Sequence, residues 1–202
     1  LTALIDIPAN LADRLAEHAK QPSVWDDPEF DRGERKLVPA AVLVPLIRMG
    51  EQWHLVYTLR SNLLHDHSGQ VSFPGGSWEN HDPDLIATAL RESREEIGLD
   101  PAKVRVLGCM AKMEMVTHFK VTPVVGVVDW PTVLTVNPDE VARVFSIPLD
   151  WLASKENHDF QVHTHRSKDF NVPYFKPYDG ETVWGATAMI TLELIRIFTA
   201  WE

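Results

Sequence analysis

With 202 residues, the chain suits one domain with extensions better than two full domains, and a hydrophobic fraction of 45% supports a sizeable core. A net charge of −10 without any block of Lys and Arg argues against non-specific nucleic-acid binding. It does not exclude a phosphate substrate, because bound metal ions invert the local field. The single cysteine, Cys109, rules out an internal disulfide, and the longest clean apolar run, 40–47, is far short of a membrane span. Together with the lack of a leader-like N-terminal pattern, these features lead to the expectation of a cytoplasmic protein with no membrane partner.

In chain order, residues 8–20 place Leu11, Leu15 and Ala19 at helical spacing and predict a short N-terminal helix. The polar stretch 21–36 reads as a surface linker, which sets a segment 1–36 apart from a single domain over 37–202. Strands are expected over 38–48 and 53–60, separated by Met49, Gly50 and Glu51. A loop rich in His and Gly, 61–76, ends in the turn Phe73-Pro74-Gly75-Gly76. A helix should follow over 82–99, with Asp82 as its cap, Pro83 at its first position and Gly98 past its end. Next come strands at about 104–112 and 118–129, a short helix over 138–145, and strands over 159–176 and 181–184 joined by Tyr178-Asp179-Gly180. A last helix covers about 185–200, with Met189, Leu192, Ile195 and Phe198 roughly on one face. Strands mixed with a few helices predict an α+β protein, a mixed β-sheet sandwiched between helices. The N-terminal helix, expected to be exposed, and the C-terminal extension are candidate surfaces for a homodimer.

The helix over 82–99 carries the chemistry. At about 100° per residue, Ile86, Ala89, Leu90, Ser93 and Ile97 form one stripe that should face the core. Glu92, Glu95 and Glu96 form a second stripe, turned away by roughly 120°. Carboxylates three and four apart repel, at about 0.2–0.5 kcal/mol per pair. Arg91 relieves part of this by reaching Glu95, four residues on. A hard divalent cation relieves it more fully, since Mg²⁺ prefers carboxylate oxygens; the plain alternative is a solvated acidic face. The Gly75-Gly76 turn before the helix lets backbone approach a ligand closely and offers a carbonyl oxygen as a further ligand.

The run 76–99 resembles the Nudix box, whose ending appears here as Arg91-Glu92-Ser93-Arg94-Glu95-Glu96-Ile97-Gly98-Leu99. Ser93 stands where the box usually has a bulky apolar residue and should pack less well, the glutamate midway in the box is missing, and one extra residue lies between Gly76 and Arg91. These departures are similar to the coenzyme A pyrophosphatase branch of the family. So is the upstream series Val56-Tyr57-Thr58-Leu59-Arg60-Ser61, Gly69-Gln70-Val71-Ser72 and Phe73-Pro74-Gly75-Gly76. The stretch from Tyr178-Asp179-Gly180 to Trp184-Gly185-Ala186-Thr187-Ala188 is similar to that branch as well. The second Arg of the upstream motif is His65 here, which replaces a permanent bidentate phosphate donor.

The resemblance implies a Nudix fold and hydrolysis of coenzyme A to 3′,5′-ADP and 4′-phosphopantetheine. Glu92, Glu95 and Glu96, with the Gly75 carbonyl, would hold Mg²⁺ or Mn²⁺, and Arg91 would orient a glutamate. Arg60, His65, Gly75 and Gly76 would meet the substrate, and either Glu92 or Glu140 would be the general base. The alternatives are the same chemistry on ADP-ribose, a dinucleoside polyphosphate or NADH, and a nucleotide sensor without catalysis. His163 and His165, two apart on a strand, are spaced to share a metal but read better as a polar strand face, and Trp184 is expected to pack under the last helix.

Overall fold

The computed structural model describes residues 5–23, 36–64, 68–115, 117–165 and 168–199. The linker expected over 21–36 lies mostly outside them. The main sheet contains β1 (Val38–Met49), β2 (Gln52–Arg60), β3 (Val71–Ser72), β4 (Gly75–Ser77), β5 (Val104–Cys109), β6 (Met113–Glu114), β7 (Phe119–Val128) and β8 (Val141–Pro148). Its path is β3-β2-β1-β7-β5, with β4 on β1, β6 on β7 and β8 on β2. The β1–β7 pair is parallel and the other pairs are antiparallel, so the sheet is mixed. A separate antiparallel hairpin joins β9 (His158–His165) to β10 (Lys168–Phe175). The helices are α1 (Leu11–His18), α2 (Leu85–Ile97), α3 (Leu149–Ala153) and α4 (Gly185–Thr199). Among the described residues no helix is long and apolar enough to cross a membrane.

Strand β1 explains the layering. Its residues point alternately to opposite faces, and both sets are apolar, the pattern of a strand covered on both sides. Ala41, Leu43 and Ile47 join Ala89 and Ile97 of α2 in one core. Val44 and Leu46 join the residues of α1, α3 and α4 in the other. In β2 the same division puts Val56 toward α2 and Leu55 and Tyr57 toward α4. The α+β sandwich expected from the sequence is therefore the observed architecture.

Three local expectations are corrected. The segment 138–145 is not a helix: a turn at 138–140 leads into β8, whose residues Val141, Phe145 and Ile147 are buried at strand period against β2. Residues 181–184 form only isolated bridges, Tyr178 to Glu181 and Tyr174 to Trp184, beside the turn at 178–180. The N-terminal helix is exposed on one face only, and its other face packs inward. Leu11 and Leu15 of α1 are 2% and 0% exposed, and Leu15 fills the space beside Gly108, where an added Cβ would lie 3.1 Å from its own. Arg14 donates to the carbonyls of Ile197 and Phe198 at the end of α4, and His18 Nε2 lies 2.8 Å from Glu193 Oε1. The apolar stripe of α1 is thus consumed internally.

Helix α2 starts later than expected, for a specific reason. Asp84 caps it, accepting from the Ala87 N–H at 2.8 Å. Asp82 is buried and accepts from the Glu79 N–H, the Thr88 hydroxyl, and Arg91 Nε and Nη2 at 3.0 Å each. This bidentate pair holds the Asp82 carboxyl well below the usual carboxylate range, and the Glu79 and Thr88 hydrogen bonds act in the same direction.

Two outcomes follow. Leu15→Ala should lower unfolding stability by about 3 kcal/mol, read by urea denaturation, because the site is fully buried; a loss under about 1 kcal/mol would mean that α1 is not part of the cooperative core. Asp82→Asn should cost about 3 kcal/mol at pH 7, because it leaves a guanidinium without its buried partner. Since the folded pKa of Asp82 is depressed, its contribution is complete above the unfolded value of about 4 and is lost as pH falls below it. The gap between wild type and variant should therefore narrow below about pH 4, and a gap independent of pH would refute the ion pair as its source.

Candidate active site

The site forms where α2 crosses β4 and the start of β8. Gly75 has φ +157°, and a Cβ there would lie 2.3 Å from the Ala41 carbonyl oxygen, so the turn requires glycine. A Cβ on Gly76 would lie 2.6 Å from Glu92 Cδ, so the Glu92 side chain occupies the space that this glycine leaves. The Gly75 N–H donates to Glu96 Oε2 at 3.3 Å. Without side chains on this turn, α2 approaches β4 closely enough to cover part of its acidic stripe. Glu96, expected on an outward face, is 4% exposed. Ser93, expected to pack poorly, is fully buried, and its hydroxyl donates to the Ala89 carbonyl at 2.7 Å.

Arg91 distributes its donors over this surface. Besides Asp82, it donates to the Ser77 carbonyl at 3.1 Å, and its Nη1 reaches both Glu92 Oε1 and Glu95 Oε2 at 2.9 Å. Glu95 stands on the open side, with its side chain 53% exposed. Burial raises the Glu92 carboxyl above its ordinary range, while Arg91 pulls it down and Glu95 and Glu140 push it up. Burial pushes Glu96 up to about 8, opposed by the Arg60 guanidinium and the Gly75 N–H and reinforced by Glu92 and Glu140. A positive charge placed between these groups would favour their ionised forms.

The structure therefore brings Glu92, Glu96, Glu140, Arg60, Gly75 and Gly76 into one neighbourhood, with Glu95 at its rim on Arg91. Among the described residues no three carboxylate, imidazole or thiol groups stand as a closed cation cage. Arg60 Nε is buried and has no hydrogen-bond partner. Glu140 is in no helix; its Oε1 accepts from Asn137 Nδ2 at 3.2 Å, and its carbonyl accepts from the Ser61 N–H at 2.8 Å. His65 lies outside the described residues. His163 is turned to other use: its Nε2 lies 3.0 Å from the Tyr174 hydroxyl, and the rings of His163, Tyr174 and Trp184 stack on the β9–β10 hairpin. Trp184 thus packs on the hairpin and not under α4.

Sequence reasoning missed two residues that shape this site. Asp82 was read as a helix cap, although its nine-residue distance from Arg91 fits no helical contact; only the turn at Glu79 brings the two together. Asn137 was passed over as a neighbour of Glu140. An Asn-Pro-Asp series is the signal for a side-chain-bonded turn, and the Asp139 N–H does donate to Asn137 Oδ1.

Comparison with known proteins places this geometry in a family. The model of the NUDIX domain matches residues 37–167. A protein named Nudix hydrolase NudL from Klebsiella pneumoniae is 44% identical over 156 residues, covering 77% of this chain and 80% of the relative. The protein of that name from Cronobacter sakazakii is 39% identical over 168 residues, covering 83% and 86%. Among solved structures, a Deinococcus radiodurans protein aligns with TM-score 0.53 at 16% identity, over 83% of this chain and 87% of its own. A MutT/nudix family protein from Enterococcus faecalis aligns with TM-score 0.52 at 18% identity, over 95% and 69%. These two likenesses speak to the fold alone. Nudix hydrolases act on small nucleoside diphosphate derivatives and generally use divalent metal ions. With its fold, its Arg91–Glu96 helix and these relatives, the chain belongs to the Nudix hydrolase family and is a pyrophosphohydrolase.

Proposed function

We propose that the enzyme hydrolyses the diphosphate bridge of coenzyme A, releasing 3′,5′-ADP and 4′-phosphopantetheine, with Mg²⁺ or Mn²⁺ as cofactor. The observation that carries this reading is the meeting of the two ends of the upstream motif, Arg60 and Gly75-Gly76, at the acidic helix beside Glu96. The motif that resembles the coenzyme A branch and the glutamates of the Nudix box then serve one site.

The residues fit a hard cation. Every candidate ligand is an oxygen, and a buried carboxylate such as Glu96 calls for a positive neighbour. In this reading Glu92, Glu95, Glu96 and the Gly75 carbonyl would hold the ions, whose chemistry when bound would be to offset diphosphate charge and acidify a water. Arg91 keeps Glu92 and Glu95 oriented from behind. Arg60, at the end of β2, would donate to a phosphate oxygen through its guanidinium, and the resemblance gives His65 a supporting part. Glu140 is favoured over Glu92 as general base, because Glu92 is held by the Arg91 guanidinium and claimed by the metal, while among the described residues the Glu140 carboxylate accepts only from the neutral Asn137 amide. Glu140 takes the proton of the water as its oxygen bonds to phosphorus, the bridging P–O bond breaks, and the leaving phosphate keeps the electron pair. Residues 37–202 act as one catalytic domain following the segment 1–36, in the cytoplasm, on a free small molecule without nucleic acid or membrane. His65, where the motif carries Arg, is the feature that favours a different nucleoside diphosphate derivative, such as ADP-ribose, a dinucleoside polyphosphate or NADH. The sensor alternative would need a damaged glutamate set, and all three glutamates are intact.

The first test is a product assay with Mg²⁺ or Mn²⁺ across coenzyme A, ADP-ribose, diadenosine polyphosphates and NADH. Coenzyme A should have the highest kcat/KM, and chelation with EDTA should abolish turnover until metal is restored. Preference for another compound would discard the substrate and keep the chemistry. Glu95→Gln and Glu96→Gln should each lower kcat by about 100-fold or more with an unchanged Tm; full activity in both would rule out the proposed metal site.

A further inference from the structure

We infer that Asn137 is a positioning residue, which couples the acidic helix to Glu140 and sets the direction of the Glu140 carboxylate; this rests on the reading of Glu140 as general base. The last carbonyls of an α-helix lack partners within it. In α2 the carbonyls of Ser93 and Arg94 are taken by the N–H groups of Leu99 and Gly98, as in an ordinary left-handed cap. Two further carbonyls are taken from a distant segment: the Ile97 carbonyl accepts from the Thr135 N–H at 2.9 Å, and the Glu96 carbonyl accepts from the Asn137 N–H at 2.8 Å. Gly98 allows this approach, since a Cβ there would lie 2.8 Å from the Thr135 carbonyl oxygen.

Asn137 is therefore fixed to the backbone of Glu96 itself. From that anchor its carbonyl accepts from the N–H groups of Glu140 and Val141, at 3.1 and 2.8 Å. Its Oδ1 accepts from the Asp139 N–H, and its Nδ2 donates to Glu140 Oε1. One amide thus uses one end to shape the turn and the other to hold a carboxylate oxygen. Glu140 acts electrostatically on both Glu92 and Glu96, so a rotation of its side chain alters its approach to the same centre. The turn needs only an acceptor at position 137, whereas the hold on Glu140 needs a donor. That difference separates the positioning role from a structural one.

Asn137→Asp keeps the size and the acceptor, removes the donor and sets a second negative charge beside Glu140, an effect that the neutral Asn137→Ala lacks. With coenzyme A and Mg²⁺, it should lower kcat by about 10- to 100-fold, with KM changed less than about threefold and Tm within a few degrees of wild type. Asn137→Ala should lose a comparable amount of kcat. In a Glu140→Gln background neither substitution should lower kcat much further, because the group being positioned is already disabled. Wild-type kcat in Asn137→Asp, or independent multiplication of its effect with that of Glu140→Gln, would overturn the inference. Full turnover by Glu140→Gln alone would instead sink the assignment of Glu140 as base, a failure visible without any Asn137 variant.

Discussion

The guanidinium of Arg91 joins the buried Asp82 carboxylate, the Ser77 carbonyl at the end of β4, and the carboxylates of Glu92 and Glu95. A fully protonated planar group with five donors can do this, and an ammonium cannot. The arrangement fixes the rotation of α2 about its axis, ties the helix to the preceding turn, and compensates part of the repulsion among neighbouring carboxylates. Because Asp82 stays ionised, the positive charge of Arg91 is shared between a structural partner, the largely covered Glu92 and the exposed Glu95. The acidic surface therefore keeps its negative character while its geometry is set from beneath.

The remainder of the fold supplies a rigid floor for this helix. Strand β1 has apolar side chains on both faces and is held in register by β2, β4 and β7, so α2 and α4 pack against opposite sides of one plate. Interior side chains packed at crystal-like density move little. Glu96, buried, and Glu95, exposed, are adjacent on α2, at the line where covered helix surface becomes open.

Much of this was legible in the sequence. The apolar stripe of α2, its glycine stop and the clustering of Glu92, Glu95 and Glu96 follow from helical period alone. The depth of Glu96 did not, because burial there depends on Gly75 and Gly76 lying across from it, a tertiary relation that no periodicity contains. Asp82 was legible as an acid before a helix but not as the partner of Arg91, since its side chain reaches past the cap that Asp84 provides. Residues 138–145 were misread because Asp139 and Glu140 follow a proline, the mark of a helix start. The alternation of Val141, Phe145 and Ile147 is a strand pattern, and pairing with β2 decided in its favour. The N-terminal helix showed its apolar stripe, but nothing local revealed that Gly108 and α4 would receive it.

The docking of Thr135 and Asn137 onto the end of α2 has a consequence for how this scaffold can vary. The chain leaves the helix at Gly98, builds β5, β6 and β7, and returns to the same helix end, so residues 99–134 form a closed excursion from one fixed point. The stretch just before the return contains Val133, at 86% exposure, and makes few demands on its neighbours. Exposed loop tips of this kind accept added length. Length added there would leave the docking of Thr135 and Asn137 on the end of α2 in place.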